Sequence, residues 1–187
     1  MNKKVVAIYG SYRKNGNSAT ILNLILDEIK EKNVEIEKFY LSDLAISPCK
    51  GCFYCRKNNE CVINDDMKTI LKRIKEADKV LISIPVFMFQ AASVVKVMLD
   101  RLYPILEGEP GRYTRSMNDK DTILVYSQGS PKEDSFKEYM EFNKKSLALL
   151  GLKVKETIIC TKSNTIGSVL ENVDLCNKAE AIGKNLF

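Results

Sequence analysis

The fold is set by one stretch near the amino terminus: Val5-Val6-Ala7-Ile8-Tyr9-Gly10-Ser11-Tyr12-Arg13-Lys14-Asn15-Gly16-Asn17-Ser18. An apolar run with β-branched residues ends abruptly in a segment of Gly, Ser, Asn and basic residues. From Thr20 to Ile29, apolar residues then recur at helical spacing. The stretch therefore predicts a strand, a polar loop and a helix, which together open an α/β unit.

The loop at 10–18 has the chemistry of an anion-binding site. Asn17 and Ser18 are candidate caps for the following helix, whose first N–H groups have no partner within the helix. Those donors, the positive end of the helix dipole and the basic side chains of Arg13 and Lys14 all favour a bound phosphate. The loop matches neither G-x-G-x-x-G nor G-x-x-x-x-G-K-[ST], and its single guanidinium suits a terminal phosphate monoester better than a bridging pyrophosphate. The alternative is a solvated turn with scattered charges.

Strands and helices alternate along the rest of the chain. Further strands are predicted at 34–41, 79–85, 121–127 and 154–160, and helices at 65–76, 91–106, 133–150 and from 172 onward. Asp65 and Asp66 lie at the predicted start of the second helix, where their negative charges interact favourably with the positive end of the helix dipole. This role is favoured over metal binding. Five such strands predict a parallel sheet in the flavodoxin-like order 2-1-3-4-5, inside a three-layer α/β sandwich. The loops at 10–18, 85–91 and 127–131 would then meet at the carboxyl edge of the sheet.

The composition excludes several classes of function. Hydrophobic residues make up 45% and charged residues 28% of the 187 residues, so we expect one globular domain over 1–187. The net charge of +5 is modest and no basic stretch is interleaved with aromatic residues, so we expect no nucleic-acid partner. No apolar run approaches ~18 residues, so we expect no membrane span and a cytoplasmic protein. The chain has no histidine, which removes His triads, His general bases and His metal ligands.

Three segments, in the right order, resemble those of the NADPH-dependent FMN reductase family, a flavodoxin-like group. The loop at 10–18 resembles that family's FMN-phosphate loop, with Tyr12 where many members carry Pro. The resemblance implies FMN, with phosphate contacts at Ser11, Arg13, Asn17 and Ser18, and Asn15 is also assigned to the cofactor site. The apolar segment Pro85-Val86-Phe87-Met88-Phe89 and the turn Ser127-Gln128-Gly129 resemble the family's P-V-[YF] and [ST]-x-G segments.

Those two segments are implied to hold the ribityl chain and the isoalloxazine of FMN. A loop as apolar as 85–89 also suggests that a flat apolar ligand rests on it, although a strand end covered by a neighbouring loop or subunit is the alternative. Because a flavin itself performs hydride and single-electron transfer, we assign no catalytic role to a side chain of the protein. The implied electron donor is NAD(P)H or a redox protein such as ferredoxin.

Four of the six cysteines lie within thirteen residues, in the pattern C-x2-C-x2-C-x5-C formed by Cys49, Cys52, Cys55 and Cys61. Three thiolates at this spacing with a fourth close behind suit the corners of a cubane cluster, whereas structural zinc normally joins two more widely separated knuckles. The motif, in a loop at about 44–65, resembles that of the iron–sulfur flavoproteins, a branch of the same family, which implies a [4Fe-4S] cluster that exchanges electrons with FMN. Unmetallated thiols, zinc and a disulfide remain alternatives.

Three functions are compatible with these features. The first is an iron–sulfur flavoprotein. The second is an NAD(P)H-dependent FMN or quinone reductase without a cluster, and the third is a non-enzymatic binding module with a zinc-stapled loop. The apolar residues of the predicted helix at 91–106 wrap beyond one face, so we also expect a homodimer or homotetramer.

Overall fold

The computed structural model describes residues 3–30, 33–108 and 111–187. Eight strands occur in these residues: β1 (Lys3–Tyr9), β2 (Val34–Tyr40), β3 (Lys79–Phe87), β4 (Gln90–Ala91), β5 (Leu106–Glu107), β6 (Thr114–Arg115), β7 (Lys120–Ser127) and β8 (Leu152–Cys160). The same residues form six α-helices: α1 (Asn17–Asp27), α2 (Tyr54–Asn58), α3 (Met67–Glu76), α4 (Ser93–Asp100), α5 (Lys137–Leu149) and α6 (Val173–Lys184).

The main sheet runs β2-β1-β3-β7-β8, with every neighbouring pair parallel. This is the predicted flavodoxin-like order, counted over the five long strands. The short strand β4 adds to β3 as an antiparallel hairpin, and β5 pairs with β6 in a separate two-stranded sheet. Because all five long strands point the same way, the loops that follow them emerge at one edge.

Apolar side chains are buried on both faces of the sheet, which gives three layers. Val5 and Ala7 of β1 belong to a core shared with α1 and α6. Val6 and Ile8, which point to the opposite face, belong to a second core shared with α3 and α4. Covering of both faces explains why β1 and β3 are nearly continuous apolar runs in the sequence.

Two of the predicted boundaries that differ from the structure involve prolines. The third strand was expected to stop at Pro85 but continues to Phe87. The ladder between β1 and β3 ends at Ser83, so Pro85 lies where β3 no longer needs to donate an N–H to that neighbour. The helix predicted at 91–106 ends at Asp100, because Pro104 cannot lie inside a helix and instead begins a 3₁₀ turn, Tyr103–Ile105.

Candidate functional site

A cavity of about 180 Å³ lies at the carboxyl edge of the sheet, where the loops after β1, β3, β7 and β8 meet. Its lining consists of Ser11, Arg13, Gly16, Asn17, Ser18, Pro85, Val86, Phe87, Ser127, Gln128, Gly129, Ser163, Asn164 and Ile166. Of the cofactor residues predicted from the sequence, only Asn15, Met88 and Phe89 do not line it. A larger hollow of about 450 Å³ lies at the opposite edge, between the beginnings of the strands and α6. Open parallel sheets bind their ligands at the carboxyl ends of the strands, so the smaller cavity is the candidate site.

The first loop brings the chain tightly from β1 to the start of α1. Gly10 donates its N–H to the Ser83 carbonyl at 3.0 Å, and a Cβ there would lie 2.5 Å from that same oxygen. Only glycine fits this close approach. The Arg13 N–H then donates to Ser11 Oγ at 3.0 Å, which folds the loop back toward the helix. The helix begins at Asn17 with Gly16 as its cap, so the expectation that Asn17 or Ser18 is the cap is wrong.

Asn17 lines the cavity and also makes hydrogen bonds to a distant segment of the chain. Its side-chain amide donates to the Thr165 carbonyl at 2.8 Å and to Ser168 Oγ at 3.2 Å, and its Oδ1 accepts the Val169 N–H at 3.3 Å. The Asn17 side chain therefore joins the first loop to the segment after β8. The backbone N–H groups of the first turn of α1 remain without intrahelical partners and give the loop its anion-binding character.

The two basic residues of the first loop point in different directions. Arg13 lines the cavity and donates from Nη1 to the Asn164 carbonyl at 3.2 Å. Lys14 instead pairs with Asp43, with 2.5 Å between Nζ and Oδ2, and so reaches toward the start of the cysteine loop. Within this loop, Arg13 is the basic side chain placed to meet an anion in the cavity.

The second segment is a tight hairpin rather than the apolar loop that was expected. Val86 pairs with Ala91 and Phe87 with Gln90, which leaves Met88 and Phe89 as a two-residue turn with φ of 45° and 66°. Side chains other than glycine disfavour this left-handed region by roughly 1–2 kcal/mol per residue. The turn is held by a hydrogen bond from the Ala91 N–H to Tyr139 Oη at 3.0 Å. Strained backbone of this kind persists where surrounding contacts fix it, and it is often functional.

The hairpin exposes apolar side chains beside the cavity. Met88 is 90% exposed, and Phe87 and Phe89 are also exposed. Phe87 lines the cavity, while the Phe89 ring packs edge-on against Phe136 with 5.2 Å between centroids. The side chains that a flat apolar ligand would contact are therefore presented on a backbone held by β3 and Tyr139.

The third loop places one unpaired acceptor in the cavity wall. Gln128 is 1% exposed and donates from Nε2 to the Lys132 carbonyl at 2.7 Å. Its Oε1 is buried and has no hydrogen-bond partner among the residues that the structure describes. Buried polar atoms are nearly always paired, so this oxygen is an exception in a residue that lines the cavity.

A fourth loop, residues 161–168 after β8, was missed by the sequence reasoning. Ser163 donates its N–H to the Gln128 carbonyl at 2.9 Å, which ties this loop to the third. A Cβ on Gly129 would lie 2.6 Å from Asn164 Oδ1, so the two loops approach closely and a larger residue here would displace the Asn164 side chain. The signal was present, because this polar segment follows a fifth strand whose end must emerge at the same edge.

The cysteine loop leaves β2 through the 3₁₀ turn Leu41–Asp43 and is closed at its base by polar contacts. Asp65 Oδ2 accepts the Ser47 N–H at 2.9 Å, and Asp66 Oδ2 accepts the Ala45 N–H at 2.7 Å. Arg101 donates to both Asp65 oxygens, at 2.8 and 2.9 Å, and to the Ser47 carbonyl at 2.6 Å. The two ends of the loop are thus held together without any cysteine.

The Asp65–Arg101 pair is nearly removed from water, with side chains 8% and 1% exposed. Burial acts to raise the pKa of Asp65, but the hydrogen bonds from Arg101 and from the backbone outweigh it, and the pKa lies below its usual value. Burial likewise opposes the charge on Arg101, yet Asp65, with a smaller contribution from Cys61, holds the pKa of Arg101 above its usual value. Both groups therefore stay charged at neutral pH.

The middle of the loop is anchored by a second arginine. Arg56, on the short helix α2, lies over the Tyr103 ring at 4.2 Å and near the Tyr113 ring at 5.2 Å. Its Nη2 donates to the Tyr103 carbonyl at 2.8 Å and to the Leu106 carbonyl. These contacts fix the loop against the segment that follows α4.

The four cysteines stand on this anchored loop. Cys49 and Cys52 are exposed, and Cys55 and Cys61 are half-buried. Within residues 3–30, 33–108 and 111–187, no group of three or more Cys, His, Asp or Glu side chains is close enough to hold a metal ion. The donor chemistry suits a thiolate-ligated cluster, but the thiols must still converge around it. Of the two remaining cysteines, Cys160 is buried and Cys176 is half-buried.

Residues 3–132 match the family model of the NADPH-dependent FMN reductases. The chain belongs to this family. It is 36% identical over 136 residues to an iron–sulfur flavoprotein of Archaeoglobus fulgidus, a match that covers 70% of this chain and 58% of that protein. It is also 36% identical over 105 residues to an iron–sulfur flavoprotein of Methanocaldococcus jannaschii, covering 56% of this chain and 54% of that protein. The chain thus spans a little over half the length of these relatives.

The fold is also that of known flavin enzymes. An FMN-dependent NADH-azoreductase of Bacillus anthracis, solved in complex with FMN, superposes with a TM-score of 0.74 at 15% identity, over 100% of this chain and 99% of that one. At that identity the likeness concerns the fold alone. None of the helices in the described part of the chain is long and apolar enough to cross a membrane.

Proposed function

We propose that this chain is an FMN-dependent oxidoreductase of the iron–sulfur flavoprotein type. It binds FMN in the cavity at the carboxyl edge and a [4Fe-4S] cluster on Cys49, Cys52, Cys55 and Cys61, and electrons pass between the two. The observation that carries the proposal is the adjacency of an anion loop, an apolar hairpin and a cysteine loop on one edge of a flavodoxin-like sheet. Family membership and the names of the relatives support it.

The cavity suits FMN group by group. The free N–H groups at the start of α1, with Ser11 and Arg13, would receive the phosphate. Phe87 and its hairpin would lie against the isoalloxazine, and the unpaired Gln128 Oε1 would accept an N–H of the ring. FMN supplies the hydride and electron transfer, while the chain binds, orients and shields it.

The cysteine loop starts beside the phosphate end of this cavity. A hollow of about 250 Å³ separates Tyr12 of the first loop from Ile46 and Pro48 of the cysteine loop, with Val94 of α4 as a further wall. The Lys14–Asp43 ion pair joins the same two loops. A cluster on this loop would therefore lie close to the flavin of the same subunit.

Reconstitution with iron and sulfide tests the proposal directly. Anaerobically loaded wild type should contain FMN and iron, and Cys52→Ala should lose the broad iron–sulfur absorbance near about 400 nm while keeping FMN. Cys176→Ala is the matched control, because that thiol lies on α6, and it should keep both. Equal iron content in Cys52→Ala and wild type would exclude the proposed ligand set.

The second candidate is an NAD(P)H-dependent FMN or quinone reductase without a cluster. The separation of the thiols favours it, since no metal-binding group is assembled in the part of the chain described. Under this alternative, oxidation of NAD(P)H with quinone acceptors would be unaffected by Cys52→Ala. Under the first proposal, delivery of electrons from a ferredoxin-type donor would require the cysteine.

We also infer a homo-oligomer, a dimer or a tetramer, that uses α4. Val95 and Met98 of this helix are buried, whereas Val94 and Val97 are only half-buried and line the hollow beside Tyr12. An apolar helix face of this kind is commonly covered by another subunit.

A further inference from the structure

The fourth loop, residues 161–168, is attached to the third loop by backbone hydrogen bonds. Ser163 donates its N–H to the Gln128 carbonyl at 2.9 Å, and Lys162 donates its N–H to the Ser130 carbonyl at 3.2 Å. Bonds of this kind do not depend on side chains. A substitution in the first loop therefore leaves this attachment in place.

The attachment of the fourth loop to the first loop depends on two side chains instead. Arg13 donates from Nη1 to the Asn164 carbonyl at 3.2 Å. Asn17 donates from Nδ2 to the carbonyl of the next residue, Thr165, at 2.8 Å. Two adjacent carbonyls of the fourth loop are thus held by side chains that lie four positions apart in the first loop.

The hydrogen-bonding groups of the Asn17 side chain are engaged by the protein itself. Besides its bond to Thr165, Nδ2 donates to Ser168 Oγ at 3.2 Å, and Oδ1 accepts the Val169 N–H at 3.3 Å. Both amide hydrogens and the amide oxygen therefore have protein partners. Asn17 is only 4% exposed. A buried amide bonded at three points fixes the position of the segment 165–169 relative to the first loop.

Arg13 differs from Asn17 because it is exposed and lines the cavity. An exposed arginine samples many rotamers, and ordering them when an anion binds costs free energy. The bond to the Asn164 carbonyl reduces this cost, because it holds the guanidinium at the cavity wall before an anion arrives. A guanidinium has five N–H donors, so one bond to a carbonyl still allows it to donate to an anion. The position of the Asn164 carbonyl therefore affects how tightly Arg13 binds that anion.

We propose that Asn17 is a positioning residue for the FMN phosphate. Its amide fixes the fourth loop, and the Asn164 carbonyl of that loop orients Arg13 toward the phosphate. The side chain of Asn17 thus acts through Arg13, while its backbone N–H remains among the donors at the start of α1. The inference rests on the proposed FMN site.

The test is a double-mutant cycle of Asn17→Leu and Arg13→Ala, in which each apoprotein is titrated with FMN and flavin fluorescence is followed. Leucine is close to asparagine in size but makes no hydrogen bonds. In the wild-type background, Asn17→Leu should weaken FMN binding about tenfold. In the Arg13→Ala background it should change the affinity by less than about twofold, because the side chain through which it acts is absent. Riboflavin, which lacks the phosphate, should bind equally to wild type and Asn17→Leu.

Ser168→Ala is an independent variant, since Ser168 lies outside the lining of the cavity. Its hydroxyl accepts from the Asn17 amide and donates to the Thr165 carbonyl at 2.9 Å, so its removal should weaken FMN binding about two- to tenfold. Ser116→Ala is the matched control. It removes another half-buried hydroxyl, which donates to the Ile105 carbonyl at 3.2 Å, and it should bind FMN normally.

Three results would overturn the inference. The first is an equal effect of Asn17→Leu in both backgrounds, which would indicate a direct contact with the phosphate. The second is an equal loss of FMN and riboflavin affinity, which would indicate general damage to the cavity. The third is unchanged FMN affinity in Ser168→Ala. Wild type that binds no FMN would instead refute the proposed FMN site itself.

Discussion

The buried Asp65–Arg101 pair gives a quantitative prediction for the substitution Asp65→Ala. The change leaves the Arg101 guanidinium, 1% exposed, without its carboxylate, and also removes the acceptor of the Ser47 N–H. Breaking a buried pair by removing one partner costs about 3–5 kcal/mol. For a chain of this size that corresponds to a fall in Tm of roughly 6–20 °C. We expect this loss in the metal-free protein, because the contacts involve no cysteine.

Asp66→Ala is the matched control for this measurement. Asp66 is the neighbouring carboxylate and also accepts one backbone hydrogen bond across the base of the loop, but it is exposed. Its removal should cost only about 0.5–1.5 kcal/mol. Urea unfolding, monitored by circular dichroism at a fixed FMN concentration, measures the free energy of unfolding of each variant and distinguishes the two losses. Equal losses for Asp65→Ala and Asp66→Ala would refute the argument from burial.

The pH dependence gives a further check on the same pair. The folded pKa of Asp65 lies below its usual value, so its contribution to the free energy of unfolding is complete above the unfolded pKa of about 3.9. The contribution is lost as the pH falls through the lower, folded value. The stability difference between wild type and Asp65→Ala should therefore be constant from about pH 5 to 8 and should shrink only below about pH 4.

Three other predictions concern the flavin site and the subunit contact. Arg13→Ala should weaken FMN by roughly ten- to a hundredfold in a fluorescence titration, since a charge-assisted contact is worth on the order of 1.5–3 kcal/mol, and unchanged affinity would remove Arg13 from the site. Gly129→Ala should weaken FMN as well, because its Cβ would meet Asn164 Oδ1 at 2.6 Å and displace that side chain, which lines the cavity; Gly51→Ala is the control, since its Cβ would meet nothing within 4 Å and the strain of its φ of 63° lies outside the cavity, and it should bind FMN normally. Light scattering at micromolar concentration should give a dimer or tetramer, and a monomeric mass would contradict the subunit contact at α4.

The order of the sheet could be predicted because periodicity and connection rules act locally. The apolar runs of β1 and β3 reflect burial on both faces, and right-handed crossovers leave few ways to arrange five parallel strands. The same rules predicted that the loops after β1, β3 and β7 would share one edge. The ends of individual strands and helices were harder to predict. β3 continues through Pro85 because its pairing with β1 has already ended at Ser83, and the sequence alone does not show where that pairing ends.

The contacts between distant segments could not be predicted. Asp65 was interpreted as a helix-dipole residue, which is its local role, whereas its main partner Arg101 lies 36 residues away. Asn17 was assigned to the phosphate, and the hydrogen bonds of its amide to residues about 150 positions later were not predicted. A sequence pattern reports the neighbours that a residue has along the chain. The main hydrogen-bond partners of these two side chains are instead residues that are distant in the sequence.

The most direct test of the central proposal is the visible spectrum of the protein purified and reconstituted without oxygen. The proposed function predicts bound FMN together with a broad absorbance near about 400 nm that bleaches on reduction, and iron and sulfide in the ratio of a [4Fe-4S] cluster. A spectrum with flavin bands alone after reconstitution would contradict the cluster and leave the plain reductase, and a spectrum without flavin would contradict the FMN site.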